Sequence, residues 1–155
     1  MENVPPGECR GHFQCQDVQK LTYPDNSFDV CTCTEVFEHV ANDVKGFSEI
    51  YRVLTEGGVF VFTVPLRNNT KTVERAVLVN GKVEHLLEPE YHGDHLRGDG
   101  MVLCFRHYGT DIVDRVASVA FKDVRIINTT DPTGWNFNRP VVVALKWEII
   151  CRDEN

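Results

Sequence analysis

One pattern constrains the fold more than any other: two apolar strands joined through a helix by short links. Residues 28–34 (FDVCTCT) form a continuous apolar and β-branched run, which predicts a strand covered on both faces. A helix capped by Asn42 follows, and its apolar residues recur at spacings of three and four until Gly57 and Gly58 end it. Residues 59–64 (VFVFTV) are the second strand. The order predicts a right-handed parallel βαβ unit.

The first strand runs directly into residues 34–40 (TEVFEHV), with no Gly or Pro between them. This polar and aromatic stretch is typical neither of more strand nor of an ordinary loop. Ligands of open α/β sheets bind outside the carboxyl ends of the strands. The stretch is therefore predicted to form the lip of a binding crevice.

The rest of the chain predicts further elements around this unit. Residues 11–17 indicate a short strand that ends in an acid, and residues 124–127 and 141–147 indicate two later strands after a helix over 110–120. Asn80-Gly81 lies between two β-prone runs and predicts a hairpin with a type I′ turn. We interpret residues 66–106 as an insertion or lid within one domain, residues 1–155.

Composition narrows the classes of partner. The chain has 155 residues and a formal net charge of −7, with acids spread along its length. Nucleic acids and anionic membranes attract clustered Lys and Arg, so neither is an expected partner. No apolar run approaches a membrane span, and residues 1–12 lack the features of a secretion signal. We expect a cytoplasmic protein that acts on small molecules or binds proteins.

Six cysteines could pair on number alone. Cys31 and Cys33 alternate within a predicted strand and point to one face, where a thiol behaves as a small hydrophobe. We expect reduced thiols in the core and no disulfide framework.

Several short motifs, in order, carry a family resemblance. They are residues 17–21 (DVQKL), 23–30 (YPDNSFDV), 35–40 (EVFEHV) and 49–58 (EIYRVLTEGG). Together they resemble the middle and C-terminal part of class I S-adenosylmethionine-dependent methyltransferases, closely over residues 10–65 and loosely beyond. The resemblance implies an α/β fold with a Rossmann-like sheet. In the family, the strand order of this sheet is 3-2-1-4-5-7-6. This sequence contains equivalents of strands 3, 4, 5, 6 and 7 only.

Family strands one and two have no counterpart in this sequence. By resemblance, they would bring the glycine-rich loop that approaches the methionine part of the cofactor and the acid that grips its ribose. Gly98 and Gly100 offer the only comparable glycine density, and a lid turn is the better interpretation of them. A slot roughly 10 Å wide would separate strands three and four. We expect strand three to move beside strand four, or a homodimer to form through the exposed edge.

The resemblance also implies roles for individual residues. Asp17 would accept a hydrogen bond from the adenine amino group and Val18 would offer its backbone N–H. Thr34 and Glu35 would lie under the methionine end of S-adenosylmethionine, with Val36 and Phe37 packed beside it. The alternatives are that Asp17 only caps a turn and that Thr34 and Glu35 only end a strand.

His39 is the candidate catalytic residue, because a neutral imidazole can accept a proton from an attacking hydroxyl or amine. A packing or capping role is its alternative. Tyr91 and His92 are candidate substrate contacts, since related methyltransferases place a similar Tyr-His-Gly stretch near the acceptor. A purely structural role in the lid is their alternative. The spacing of His92, His95, Cys104 and His107 would also suit zinc, but it matches no zinc module, and no metal is predicted.

These inferences converge on a protein of the S-adenosylmethionine-dependent methyltransferase family with a small-molecule acceptor. The missing glycine-rich loop predicts that the chain is incomplete for autonomous catalysis. A non-catalytic methyltransferase-like interaction module, or a fragment of a longer enzyme, is the alternative.

Overall fold

The computed structural model describes residues 4–94, 100–128 and 139–146. The strands, in chain order, are β1 (Cys9–Arg10), β2 (Phe13–Gln14), β3 (Phe28–Thr34), β4 (Leu54–Thr63), β5 (Val73–Glu74), β6 (Ala76–Val79), β7 (Lys82–His85), β8 (Tyr91–Asp94), β9 (Gly100–Leu103), β10 (Arg106–His107), β11 (Asp123–Asn128) and β12 (Pro140–Leu145). The helices are α1 (Asp43–Val53) and α2 (Ile112–Ala117), and a 3₁₀ turn spans Phe37–His39. Several residues considered in the sequence analysis lie outside the described residues: His95, Gly98, the last residue of the strand predicted over 141–147, and the sixth cysteine, Cys151.

A four-stranded mixed sheet with the order β11-β12-β4-β3 forms the centre of the fold. Strands β3 and β4 are parallel, whereas β12 runs antiparallel to both β4 and β11. This order matches family strands 6-7-5-4, so the α/β fold class and the predicted βαβ unit are confirmed. The carboxyl end of β3 opens at Thr34.

The predicted strand over residues 11–17 does not join this sheet. Only Phe13 and Gln14 are extended, and they pair with Cys9 and Arg10 in a small hairpin of their own. Gly11 supports the turn at φ +63°. The expectation that this strand moves beside the next one is therefore wrong for the described chain, because its backbone groups find partners locally.

Helix α1 begins as the sequence predicts, since the Asn42 side chain accepts a hydrogen bond from the Lys45 backbone N–H at 3.0 Å. The helix ends at Val53, before the predicted Gly57-Gly58 stop, and β4 starts at Leu54. Gly57 takes φ +77° within the early part of β4. Within the described ranges, neither helix is long and apolar enough to cross a membrane.

One face of the central sheet packs against α1 and α2. Phe60 and Phe62 point from β4 to this face, where Phe37 and Phe47 stack with ring centroids 4.3 Å apart. Cys31 and Cys33 pack against the same cluster, as predicted. All five described cysteines are unpaired thiols, and burial raises the pKa of Cys33 to about 12. Aromatic packing against two helices thus forms the core.

The opposite face of the sheet is uncovered in the part of the chain that the structure describes. Val30 is 57% exposed and Ile127 is 46% exposed. The prediction that residues 28–34 are covered on both faces is therefore wrong. A continuous apolar run is typical of a doubly covered parallel strand, but only one helical layer is present among the described residues.

Residues 66–106, interpreted as a lid, form small antiparallel pairs at one end of the sheet. Strands β6 and β7 form the predicted hairpin, and Asn80 and Gly81 have φ of 51° and 75°, which confirms the type I′ turn. Strands β8 and β9 form a second hairpin. This second hairpin lies closer to the carboxyl end of β3, as its contacts below show.

A buried ionic network ties α1 to the end of this segment. Asp43, 2% exposed, accepts hydrogen bonds from Tyr108 Oη at 2.8 Å and from Arg115 Nε at 3.0 Å. Arg106 lies 3.7 Å from the same carboxylate. Burial opposes ionisation of Asp43, but the Arg115 hydrogen bonds and the Arg106 charge outweigh it and lower its pKa.

Replacing Asp43 with Asn removes the carboxylate shared by the buried Arg106 and the half-buried Arg115 and leaves both with Glu74 alone, so we expect a loss of about 3 kcal/mol in unfolding free energy. Asp25→Asn is the matched control, because its carboxylate pairs with Arg52 at 2.7 Å but is 69% exposed, and it is expected to cost less than about 1 kcal/mol. Urea unfolding at pH 7 measures both changes.

The Asp43 effect also depends on pH. Because its folded-state pKa is lowered, its stabilisation is present above the unfolded pKa, about 3.9, and is lost as pH falls through the folded value. The difference between wild type and Asp43→Asn should therefore shrink below about pH 4. Equal costs for Asp43→Asn and Asp25→Asn at pH 7 would contradict the network's role.

Candidate functional site

An open cavity of about 530 Å³ lies at the carboxyl end of β3. Three segments line it: the loop before β3, the turn after β3, and the β8–β9 hairpin. Its lining residues are Gln16, Asp17, Val18, Gln19, Thr34, Glu35, Val36, His39, Val40, Gly93 and Val102. The stretch predicted to form the lip of a crevice therefore borders a cavity, and residues far apart in sequence meet there.

Asp17 and Val18 enter the cavity wall from the loop that follows the first hairpin. The Asp17 carboxylate Oδ1 accepts a hydrogen bond from the Gln19 backbone N–H at 2.9 Å. This contact caps the turn, which is the alternative role considered for Asp17. Val18 also packs against the hydrophobic core. The loop is held further by a hydrogen bond from the Asn42 backbone N–H to the Gln19 side chain at 3.0 Å.

Glu35 occupies a strained position directly after β3. Its φ is +52°, a conformation that costs a residue with a Cβ about 1 kcal/mol or more. Its Oε2 pairs with Arg139 at 3.1 Å, whereas Oε1 is buried and accepts no hydrogen bond from a described residue. Backbone strain and an unsatisfied oxygen at one residue indicate a functional position rather than an optimised strand end.

Thr34, Val36 and Phe37 have different surroundings. Thr34 and Val36 line the cavity, and Val36 is 41% exposed. Phe37 is fully buried against Phe47 and does not line the cavity. The residue predicted to pack beside a cofactor therefore lies in the core instead.

Glu38 is buried, at 1% exposure, in the 3₁₀ turn after β3. Neither carboxylate oxygen accepts a hydrogen bond from any residue the structure describes. Burial, with a smaller contribution from the nearby Glu35 charge, raises its pKa to about 7. The Glu38 carboxyl group is thus poised between its neutral and charged forms near neutral pH.

His39 follows Glu38 and faces the cavity. Its Nδ1 lies 2.9 Å from the Leu103 carbonyl oxygen, and its Nε2 lies 3.7 Å from Glu38 Oε1. Because a carbonyl only accepts, Nδ1 must donate, and in the neutral ring Nε2 carries the lone pair. The His92 ring contacts it edge to face, with centroids 4.9 Å apart.

Glu90 is the centre of a second set of contacts on the outer side of His92. Its carboxylate lies 3.1 Å from His92 Nε2, 3.0 Å from His107 Nε2 and 3.4 Å from an Arg75 nitrogen. The hydrogen bonds from His107 and His92 lower its pKa to about 2. Tyr91, the other predicted substrate contact, is 48% exposed and does not line the cavity.

Sequence reasoning did not assign roles to Glu38, Glu90, Arg106 or Arg139. Glu38 lies within a quoted motif, but its burial depends on the β8–β9 hairpin and on residues 103–106, which are distant in sequence. Arg106 donates to the carbonyl oxygens of Phe37, Val40 and Ala41 at 2.5–3.1 Å. Local sequence patterns do not predict a contact between residues this far apart in the chain.

Comparison with known proteins shows that part of the chain is similar to methyltransferases. The family described as a methyltransferase domain matches residues 2–62. A demethylmenaquinone methyltransferase of Deinococcus radiodurans is 45% identical over 49 residues, which are 32% of this chain and 20% of the relative. A ubiquinone biosynthesis O-methyltransferase of Coxiella burnetii is 33% identical over 57 residues, which are 37% of this chain and 24% of the relative. The matched segments thus span about a fifth to a quarter of these relatives.

Solved structures resemble a larger part of the chain. A putative S-adenosylmethionine-dependent methyltransferase from Listeria monocytogenes has a TM-score of 0.51 and 15% identity, covering 91% of this chain and 73% of that one. PigF, solved with SAH, has a TM-score of 0.52 and 16% identity, covering 84% and 34%. At these identities the likeness shows the fold. The family match over residues 2–62 and the quoted motifs add to this likeness, and together they support the resemblance to class I S-adenosylmethionine-dependent methyltransferases.

Proposed function

We propose that this chain supplies one side of the S-adenosylmethionine pocket, and the adjoining acceptor site, of a methyltransferase for small molecules. The observation that carries the proposal is the cavity at the carboxyl end of β3, lined by Asp17, Val18, Thr34, Glu35 and His39. Ligands of open α/β sheets bind at this edge. The cavity combines apolar walls with a few convergent polar groups, as small-molecule sites do.

The residues at the cavity fit the cofactor in two respects. Asp17 and Val18 present a carboxylate and a backbone amide where the resemblance expects the adenine. Glu35 offers a buried oxygen that no described residue satisfies, next to the position expected for the methionine end. When bound, S-adenosylmethionine supplies an electrophilic methyl group on a sulfonium, which an acidic wall favours electrostatically.

The catalytic demands on the protein are positioning and removal of a proton from the acceptor. His39 faces the cavity with Nδ1 donating to Leu103 O, so Nε2 is the nitrogen able to accept that proton. His92 lies beside it and would contact the acceptor. An in-line approach of the acceptor to the methyl carbon then depends on how these side chains orient it.

The named relatives support a small organic acceptor, because the similar proteins include quinone biosynthesis and sterol methyltransferases. The net charge of −7 fits such a substrate better than a nucleic acid. The glycine-rich side of the pocket has no counterpart in this sequence. We therefore expect the chain by itself to bind the cofactor weakly and to need further polypeptide for efficient turnover.

The uncovered sheet supports a second function, a non-catalytic interaction module. Strand β3 is an edge of the central sheet among the described residues, and Val30 on it is exposed. Open edges recruit additional strands. A second copy of the chain pairing along β3 would cover the edge and form a homodimer.

The cofactor prediction concerns Glu35. Adding SAH at 100 times its dissociation constant should stabilise wild type by about 2.7 kcal/mol, seen as a higher melting temperature. Glu35→Gly removes the carboxylate but suits φ +52°, so it should leave the unfolding free energy of the apo protein within about 1 kcal/mol. We expect it to weaken SAH binding at least tenfold by calorimetry. An SAH dissociation constant equal to that of wild type would contradict the assignment of Glu35 to the cofactor site.

The dimer prediction concerns β3. Sedimentation or light scattering at micromolar concentration should give twice the chain mass for wild type, and the monomer mass for a Val30→Lys, Thr32→Lys variant, because edge lysines oppose strand addition. Val83→Lys is the control, since Val83 is 43% exposed on the β6–β7 hairpin, away from this edge. A wild-type monomer at every concentration would exclude the homodimer.

A further inference from the structure

Glu38 is buried, and no described residue donates a hydrogen bond to its carboxylate. Its side chain is 2% exposed, and within the described ranges neither oxygen accepts a hydrogen bond. A buried carboxylate without a partner is costly, and such groups are usually neutralised, hydrogen-bonded or bound to a metal. An unsatisfied group of this kind, directed toward His39, is an observation that points to a cation-binding role.

The neighbouring His39 is oriented as metal-binding histidines are. Such residues donate one ring N–H to a backbone carbonyl or carboxylate, which fixes the other nitrogen toward the metal. His39 donates Nδ1–H to Leu103 O at 2.9 Å, and its Nε2 lies 3.7 Å from Glu38 Oε1. In a tetrahedral site, two ligand atoms that are each 2.0–2.1 Å from Zn²⁺ lie about 3.3 Å apart. The distance of 3.7 Å between His39 Nε2 and Glu38 Oε1 is close to this value.

His92 completes the set from a different element. One ring nitrogen of His92, one oxygen of Glu38 and one nitrogen of His39 all lie within 4.8 Å of one another. Glu90 contacts the His92 ring at 3.1 Å and is held in turn by His107 and Arg75. A carboxylate behind a ligating histidine is the usual outer support of such sites.

The two elements are fixed relative to each other before any ion binds. The Phe105 backbone N–H donates to Glu38 O at 2.7 Å, which ties the 3₁₀ turn to the strand after the β8–β9 hairpin. Arg106, 2% exposed, donates to three carbonyl oxygens on either side of the same turn. The ligand atoms are therefore pre-organised, which a metal site requires.

A competing set shares His92 but is less suited to a metal. Glu90, His92 and Cys104 also have ligand atoms within 4.8 Å of one another. The Glu90 carboxylate, however, already contacts His107 and pairs with Arg75. The Cys104 thiol donates to the Arg106 carbonyl at 3.2 Å, so it holds its proton in that contact, whereas a metal requires the thiolate.

We propose that Glu38, His39 and His92 form a binding site for a divalent transition metal, with Zn²⁺ as the representative ion. Two imidazoles and one carboxylate suit Zn²⁺ or Fe²⁺ rather than Mg²⁺ or Ca²⁺, which prefer oxygen ligands. His39 also lines the cavity, so an ion held by these three side chains would lie at the cavity wall. An acceptor oxygen or water bound there would be polarised, and His39 would then serve as a ligand and not as a base.

The site differs from the set of four His and Cys residues considered from spacing alone, since it uses Glu38 and His39 and omits His95, Cys104 and His107. It also does not depend on the proposed methyltransferase activity. Metal binding is measurable on the cofactor-free protein. A negative result for metal binding would therefore not contradict the proposed methyltransferase function, and the reverse also holds.

The test is calorimetric titration of the metal-stripped full chain with Zn²⁺, with Mg²⁺ titrated in parallel. Wild type should bind one Zn²⁺ and no Mg²⁺. Glu38→Gln and His92→Ala should each weaken Zn²⁺ binding at least about tenfold, the loss typical even of outer-sphere changes. Cys104→Ser and His85→Ala are controls from the same segment and should bind as wild type does, because His85 is exposed on β7 and contacts none of the proposed ligands or their supports. Metal-free melting temperatures confirm that all four variants fold.

Cobalt substitution gives a second readout. Co²⁺ bound by imidazole and carboxylate shows visible d–d bands without the strong near-ultraviolet band of a Co²⁺–thiolate bond. We expect that signature in wild type and in Cys104→Ser, and its loss in Glu38→Gln. A thiolate band that disappears in Cys104→Ser, equal Zn²⁺ affinity of wild type and Glu38→Gln, or absence of one-to-one binding by wild type would each overturn the proposal.

Discussion

The candidate site depends on one buried side chain, Arg106. Its guanidinium donates to the carbonyl oxygens of Phe37, Val40 and Ala41, which lie within and directly after the 3₁₀ turn. A buried charge is itself expensive, and it is offset by Asp43 at 3.7 Å and Glu74 at 3.0 Å. Through this contact, the turn after β3 is held against a segment more than sixty residues away in sequence.

This arrangement stabilises a site that is itself not optimised for stability. Glu35 has a left-handed backbone conformation, and Glu38 buries a carboxylate without a hydrogen-bonding partner among the described residues. The aromatic core beneath them, with Phe37 stacked on Phe47 and Phe60 stacked on Phe62, contributes the compensating burial. Unfavourable local features supported by a well-packed scaffold are typical of functional sites.

The parts of the fold that follow from local pattern could be predicted from sequence. Capping by Asn42 predicts the start of α1, and the preference of Asn80 and Gly81 for positive φ values predicts the hairpin turn. Both could be predicted because each depends on residues only a few positions apart. The cavity wall at Thr34 and Glu35 follows from the general position of ligand sites in α/β sheets. The burial of Glu38, the core position of Phe37 and the tethering by Arg106 could not be predicted, since each depends on contacts with distant segments. The exposure of Val30 was mispredicted for the same reason: an apolar strand does not report whether a covering layer is present.

The charges around the cavity connect its two proposed ligands. Glu35 and Glu38 are close enough that the charge of the first helps to raise the pKa of the second, so the wall favours positive charge. Arg139 offsets Glu35 from one side. A sulfonium near Glu35 and a metal ion at Glu38 would each relieve part of this repulsion, and each would also repel the other. Since both cations would draw on the same negative field, the affinity for one should fall when the other is bound, and by linkage the effect must be equal in both directions.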